Sequence, residues 1–167
     1  MSDQFKHPVL HLICGLPGSG KTTLAKSIAA STGSIRLCPD EWIKDIWDDT
    51  AETEGNNYRG KIEKLQWNLA KQILQNAMGI IIEWGTWGKN ERATLRDGAR
   101  ALGAKVIFYY LDVPREILKK RILERNKDLG HHEFYIPENE IEKFLDDSFK
   151  SLQIPTDEEL ATYDAIG

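Results

Sequence analysis

The stretch Val9-Leu-His-Leu-Ile-Cys-Gly-Leu-Pro-Gly-Ser-Gly-Lys-Thr-Thr23 decides the fold. Its first half is a short, nearly unbroken apolar run, as expected of a strand covered on both faces. Its second half, Gly15 to Thr22, satisfies the spacing G-x-x-x-x-G-K-[ST]. The residues that follow, Thr22 to Ser31, carry Leu24, Ala25, Ile28 and Ala29 on one helical face and stop before Gly33. Strand, glycine-rich turn and helix in that order make a phosphate cradle. Glycines at 15, 18 and 20 let successive N–H groups converge on one anion, and the helix N-terminus adds partial positive charge. On this reading Gly15, Leu16, Pro17, Gly18, Ser19, Gly20, Lys21, Thr22 and Thr23 hold a nucleotide. Lys21 reaches the β- and γ-phosphates, and Thr22 offers its hydroxyl to Mg²⁺. An accidental glycine-rich turn is the bland alternative, and the two flanking elements argue against it.

Outward from the loop, strand-like runs recur at Val9 to Ile13, Ile35 to Leu37, Ile80 to Glu83 and Val106 to Leu111. Helical periodicity fills the intervals: Glu41 to Trp47, Tyr58 to Met78, Lys89 to Leu102, Pro114 to Asn126 and Glu138 to Phe149. Such alternation predicts an α/β protein, three layers deep (α/β/α), with a mainly parallel sheet of four or five strands. The 167 residues suit a single domain over 1–167. Asp48 to Asn57 and Lys127 to Ile136 are the least regular stretches and read as loops, the second within a helical lid at about 115–137.

Bulk composition excludes several classes. A net charge of −4 gives no broad attraction to a polyphosphate backbone, so long nucleic acid is not the expected partner. Cys14 and Cys38 form neither a Cys-x-x-Cys pair nor a histidine-flanked cluster, so they read as small buried thiols. The polar start runs into an apolar stretch too short for a membrane span or a signal h-region, which predicts a cytoplasmic protein without a membrane partner, monomeric or weakly dimeric.

A loop that holds phosphates says nucleotide, not reaction. Transfer also needs a group to deprotonate the acceptor and groups to stabilise charge on the moving phosphoryl. Asp40 follows the second strand, which a parallel sheet places beside the phosphate loop, so its carboxylate is the candidate base; the alternative is a helix N-cap. Glu83 ends the third apolar run where a carboxylate would hold Mg²⁺, with Asp112 a weaker rival at the fourth. Arg121 and Arg125 share one helical face and are candidates for an internal arginine finger, against the alternative of a solvated basic face paired with Glu116 and Glu124.

These residues together resemble the small P-loop kinases that include polynucleotide-kinase-like, zeta-toxin-like and chloramphenicol-phosphotransferase-like proteins. More narrowly, the chain is similar to a bacterial branch with a Pro-Asp-Glu-Trp segment after the second strand. The resemblance runs through Gly15 to Thr23, Pro39-Asp-Glu-Trp42, Glu83-Trp-Gly-Thr-Trp87 with Glu91 and Arg92, Leu111-Asp-Val-Pro114, Arg121, Arg125-Asn126 and Ile154-Pro-Thr-Asp-Glu-Glu-Leu160. It implies an ATP- and Mg²⁺-dependent phosphotransferase acting on an alcohol group. Lys21, Asp40, Arg121 and Arg125 would be catalytic, and Glu83 would stand where relatives commonly place Asp. Arg92 would match a recurrent arginine, grouped with Asp40, Trp42, Trp84 and Trp87 around the acceptor.

The expected acceptor is a small hydroxyl compound. A nucleotide monophosphate kinase needs no carboxylate base, so Asp40 argues against it; polynucleotide 5′-hydroxyl transfer and an ATPase or switch acting on a protein partner are the other readings. Trp42, Trp47, Trp67, Trp84 and Trp87 all fall in the middle segment. Asp40, Glu41, Asp45, Asp48, Asp49, Glu52 and Glu54 there stand against a single Lys44, a mixture of indoles and carboxylates that suits an amine-bearing acceptor; the alternative is a solvated acidic helix and loop with buried indoles.

Overall fold

In the computed structural model, which describes residues 7–47 and 52–167 and for 52–57 the backbone alone, the four apolar runs become strands. They are β1 (Val9–Gly15), β2 (Ile35–Leu37), β3 (Ile80–Gly85) and β4 (Lys105–Leu111), joined by a short β5 (Ala165–Ile166). All pair in parallel in the order β2-β3-β1-β4-β5, so the expected sheet has five strands. The helices are α1 (Lys21–Thr32), α2 (Pro39–Trp47), α3 (Glu52–Gln75), α4 (Lys89–Arg100), α5 (Arg115–Lys127), α6 (Ile141–Ser151) and a single-turn α7 (Asp157–Leu160).

Alternation along the strands divides the core. Leu10, Leu12 and Cys14 of β1 point, with Ile80 and Ile82 of β3 and Val106 and Phe108 of β4, into the larger cluster, where α3, α4, α5 and α6 contribute Leu74, Leu95, Leu118 and Leu145. Ile13 and Ile81 point the other way, onto Ala25 and Ile28 of α1. These strand residues are almost wholly removed from water, each worth roughly 1.5–3 kcal/mol for a large aliphatic side chain. Both sheet faces are therefore covered around β1, which is why its sequence is a continuous apolar run and not an alternating one.

Several helix boundaries differ from the sequence expectation, those of α3 and α2 most of all. Helix α3 begins at Glu52, before the Tyr58 that opens the apolar spacing, because its first turns carry no apolar periodicity. It stops at Gln75, and the chain leaves it through Ala77 at φ 58, so Met78 lies outside. Helix α2 starts at Pro39, a residue suited to the first helical position because it has no N–H to leave unpaired. Asp40 is thereby inside the first turn, and its N-cap reading is withdrawn.

Since β1 lies between β3 and β4, successive connections leave it in opposite directions. A crevice opens at that reversal, beyond the C-terminal strand ends. No helix among the described residues is long and apolar enough to cross a membrane.

Candidate phosphoryl-transfer site

The phosphate loop joins β1 to α1. Gly18 and Gly20 adopt φ 80 and φ 98, left-handed backbone that a side chain would strain, and a Cβ on Gly18 would sit 3.3 Å from the Leu118 carbonyl oxygen. Gly20 caps α1 without a side-chain hydrogen bond, which leaves the first-turn N–H groups for an anion. Lys21 Nζ donates to the Leu16 carbonyl at 2.9 Å, curling back over the loop. Burial pulls its pKa down to about 8, with Asp40 and then Glu83 opposing the shift.

Glu83 is buried at the end of β3. Its Oε1 accepts from Arg36 Nε at 2.9 Å and Nη2 at 2.5 Å, while Arg36 Nη2 also reaches Glu41 Oε1 at 2.8 Å. Glu83 Oε2 is buried with no hydrogen-bond partner. Burial raises the pKa of this carboxyl, and Arg36 and then the adjacent Thr22 counter it. An orphaned carboxylate oxygen beside the Thr22 hydroxyl fits a hard, oxygen-seeking cation such as Mg²⁺. Cys38 Sγ lies within 4.8 Å of Glu41 and Glu83 oxygens, and burial, then Glu83 and Asp40, push its thiol up to about 12.

Asp40 pairs with Arg59 Nη1. Arg59 also donates to Glu63 Oε1 at 3.0 Å and to the Trp84 carbonyl at 3.4 Å, tying α2, α3 and β3 together. Burial raises the carboxyl pKa of Glu63 and of Glu91. These groups, with Trp84 and Trp87, line the same cleft of about 1880 Å³ as residues 17–23 of the loop, Glu83, Arg121 and Arg125. Trp84 Nε1 is buried without a partner. Trp87 Nε1 donates to the Gly15 carbonyl at 3.1 Å, so this indole also braces the loop.

Leu118 and Ile122 anchor α5 in the main core, and the segment overhanging the cleft is 128–137. Arg121 Nη1 donates to the carbonyls of Gly18 at 3.2 Å and Ser19 at 3.3 Å. Arg125 Nη2 donates to the Phe134 carbonyl at 3.2 Å, with Nε buried and unpaired. Neither arginine pairs with Glu116 or Glu124; the described partner of Glu124 is Lys120, at 4.0 Å. Asp112 is exposed and outside the cleft.

Two acceptor candidates fall elsewhere. Arg92 is fully buried: Nε and Nη2 donate to the two oxygens of Glu159 at 2.6 and 2.8 Å, Nη1 to the carbonyls of Thr86 and Trp87 at 3.0 Å each, and Nη2 to the Gln153 carbonyl at 2.9 Å. Its donors are spent on the protein, so it is a clamp and not an acceptor ligand. The clamp matters to the site because Thr86 holds a strained φ of 44 in the turn after β3. Trp42 is half-buried on α2 and does not line the cleft, since its place two residues after Asp40 turns it to another helix face. Of the acidic stretch, Asp48 and Asp49 lie outside the described residues, as do the side chains of Glu52 and Glu54, and Asp45 faces two histidines.

Sequence reading passed over Arg36, Arg59 and Glu63, and gave Glu91 no role beyond its place in the resemblance. Arg36 pairs in register with Ile81, two residues from Glu83 on the neighbouring strand, so once β2 and β3 are paired a same-face ion pair can be anticipated. Arg59 and Glu63 carry an i,i+4 signal, but nothing local points Arg59 at Asp40.

The family described as "AAA domain" matches residues 10–150. Among curated proteins, the L-seryl-tRNA(Sec) kinase of Methanococcus maripaludis is 23% identical over 146 residues, 81% of this chain and 52% of that protein. The chain spans about half the length of the curated relatives it matches. Among solved structures, Chaetomium thermophilum Kti12 in complex with ADP-AlF3 superposes with a TM-score of 0.66 at 15% identity, covering 94% of this chain and 87% of that one. A sugar kinase from Janibacter sp. HTCC2649 gives 0.61 at 18% identity, covering 97% and 84%. At these identities the likeness establishes the fold alone.

Proposed function

We propose, on the premise that this chain belongs to the AAA domain family, that it transfers the γ-phosphoryl group of ATP to a hydroxyl of a small, amine-bearing acceptor. One observation carries the reading: Asp40 and the phosphate loop with Lys21 line one and the same cleft. Asp40, held by Arg59, takes the proton of the acceptor hydroxyl as the acceptor oxygen bonds to the γ-phosphorus and the bond from that phosphorus to the β,γ-bridging oxygen breaks, with ADP as the leaving group. Lys21 and the first-turn N–H groups of α1 receive the charge that develops on the phosphoryl oxygens. Thr22 and Glu83 would hold Mg²⁺, which would supply positive charge to neutralise the phosphate oxygens. Arg121 and Arg125 turn from their present carbonyl partners toward the phosphates and exclude water.

The acceptor class follows from charge. Asp40 and Glu63 pair with Arg59, and Glu91 lines the same cleft beside the indoles of Trp84 and Trp87. Glu63 and Glu91 also repel one another. An ammonium group between them relieves that repulsion and gains from the ring faces, whereas a phosphate or acidic sugar would worsen it. The test is a mass-spectrometric screen of amino sugars, aminocyclitols, neutral and acidic sugars, nucleotides and RNA 5′-hydroxyl ends with Mg·ATP. The expected result is phosphate on an amine-bearing alcohol, with Glu63→Gln and Glu91→Gln raising its KM about tenfold and sparing kcat. Turnover confined to anionic acceptors would discard the amine reading, and release of phosphate to water alone would discard the transferase.

A further inference from the structure

The segment overhanging the cleft meets α2 through three potential metal ligands. His131 Nε2 lies 3.3 Å and His132 Nε2 2.9 Å from the same oxygen, Asp45 Oδ1. All three ligand atoms fall within 4.8 Å of one another, and all three residues are exposed. Neighbouring side chains on an extended chain diverge to opposite faces. Here the chain turns at His131 and His132, their ring centroids stand 4.8 Å apart, and both rings converge on one carboxylate brought from another element. One imidazole N–H would suffice to satisfy that oxygen.

The spacing has a second meaning. Ligand atoms 2.0–2.1 Å from a zinc ion stand about 2.9 Å apart at a right angle and about 3.3 Å apart at the tetrahedral angle. The two observed nitrogen–oxygen separations fall at these values. Two imidazoles and one carboxylate are the donor set of a borderline cation of the Zn²⁺ class, whereas Mg²⁺ prefers oxygen.

We propose that Asp45, His131 and His132 bind a divalent transition-metal ion, Zn²⁺ or a neighbour such as Co²⁺, and that the ion fastens the overhanging segment to α2. The three protein ligands leave at least one coordination position for water at the rim of the cleft. Because Arg125 and Asn126 hold the carbonyls of Phe134 and Ile136, a fixed His131-His132 turn also restrains the segment that carries Arg125's partner.

Untagged full-length protein titrated with Zn²⁺ by calorimetry, in excess Mg²⁺, tests the site. One saturable Zn²⁺ per chain is expected. Asp45→Asn, His131→Gln and His132→Gln should each weaken it by roughly a hundredfold or more, since loss of an outer-shell partner alone costs 10–100-fold. Glu83→Gln should bind Zn²⁺ as the parent does, separating this site from the Cys38, Glu41 and Glu83 cluster. Added Zn²⁺ should slow amide exchange across residues 129–134 in the parent and not in His132→Gln. Absence of saturable binding, binding indifferent to the three substitutions, or binding lost in Glu83→Gln would each overturn the proposal.

Discussion

Lys21 holds its charge where charge is costly, and that cost makes its role measurable. A lysine whose pKa falls from the ordinary 10.5 to about 8 is only partly protonated in the empty loop at mildly alkaline pH. Between those two values the unfolded chain binds more protons than the folded one, so the stability of ligand-free protein should rise with pH through that window. Lys21→Met should therefore stabilise the ligand-free fold at pH 7, by about 1–3 kcal/mol in chemical denaturation, while costing about 10²–10³ or more in transfer rate. Phosphate oxygens would restore the ordinary protonation. ATP binding at pH 8 should thus take up about half a proton through Lys21, read from calorimetry in buffers of different ionisation enthalpy and missing in Lys21→Met. Wild-type turnover in a folded Lys21→Met would remove the loop from the reaction. Asp40 is tested differently. Asp40→Asn keeps the helix and much of the side-chain shape, so a loss of about 10²–10⁴ in kcat with nucleotide affinity nearly unchanged identifies the base. An unchanged kcat would reduce Asp40 to a partner of Arg59.

Among the elements, α4 and α7 are joined by the least exposed ion pair described, Arg92 with Glu159. Burial alone would raise the Glu159 pKa, but the Arg92 guanidinium, with help from Tyr163, holds it below the ordinary 4.5. A depressed carboxyl stabilises the fold above its unfolded pKa, and that contribution is lost as pH falls through the folded value. The parent should therefore lose stability below about pH 4.5 more steeply than a variant lacking the pair. Arg92→Met leaves Glu159 buried and unpaired and should cost about 3–5 kcal/mol in urea unfolding, much of it returned by adding Glu159→Leu. Effects on turnover should follow the strained Thr86 turn and appear in kcat more than in acceptor KM. A large, isolated rise in acceptor KM for Arg92→Met, without loss of stability, would return Arg92 to the acceptor site. A sequence motif cannot tell these roles apart, because an arginine that grips backbone carbonyls beside a site and one that grips a substrate leave the same letter at the same spacing.

For the molecule as a whole, legibility follows the range of the interaction. The phosphate loop was readable because its strand, turn and helix are contiguous, and the parallel sheet because each buried strand is an apolar run. The two-residue β5 was not, since Ala165 and Ile166 carry no periodicity and their pairing with Ile107 and Phe108 of β4 is a long-range contact. Nor was the partnership of Asp40 with Arg59, which depends on the approach of α3 to α2. The same long-range logic governs closure over the cleft. Arg121 Nη1 donates to the carbonyls of Gly18 and Ser19 and Arg125 Nη2 to that of Phe134, so each of these nitrogens must exchange its partner before it can reach a nucleotide. Such groups stabilise the transition state more than the bound nucleotide. Arg121→Ala and Arg125→Ala should each lower kcat by about 10²-fold or more while changing nucleotide affinity by less than about tenfold. In the parent, a non-hydrolysable ATP analogue with Mg²⁺ should slow amide exchange both in residues 16–23 and in residues 128–137. In Arg125→Ala the first protection should persist and the second should be lost, because the overhanging segment no longer has a cationic contact to the bound phosphates. Protection of both segments in Arg125→Ala would mean that the segment closes without it, and a fall in thermal stability with kcat unchanged would make both arginines structural.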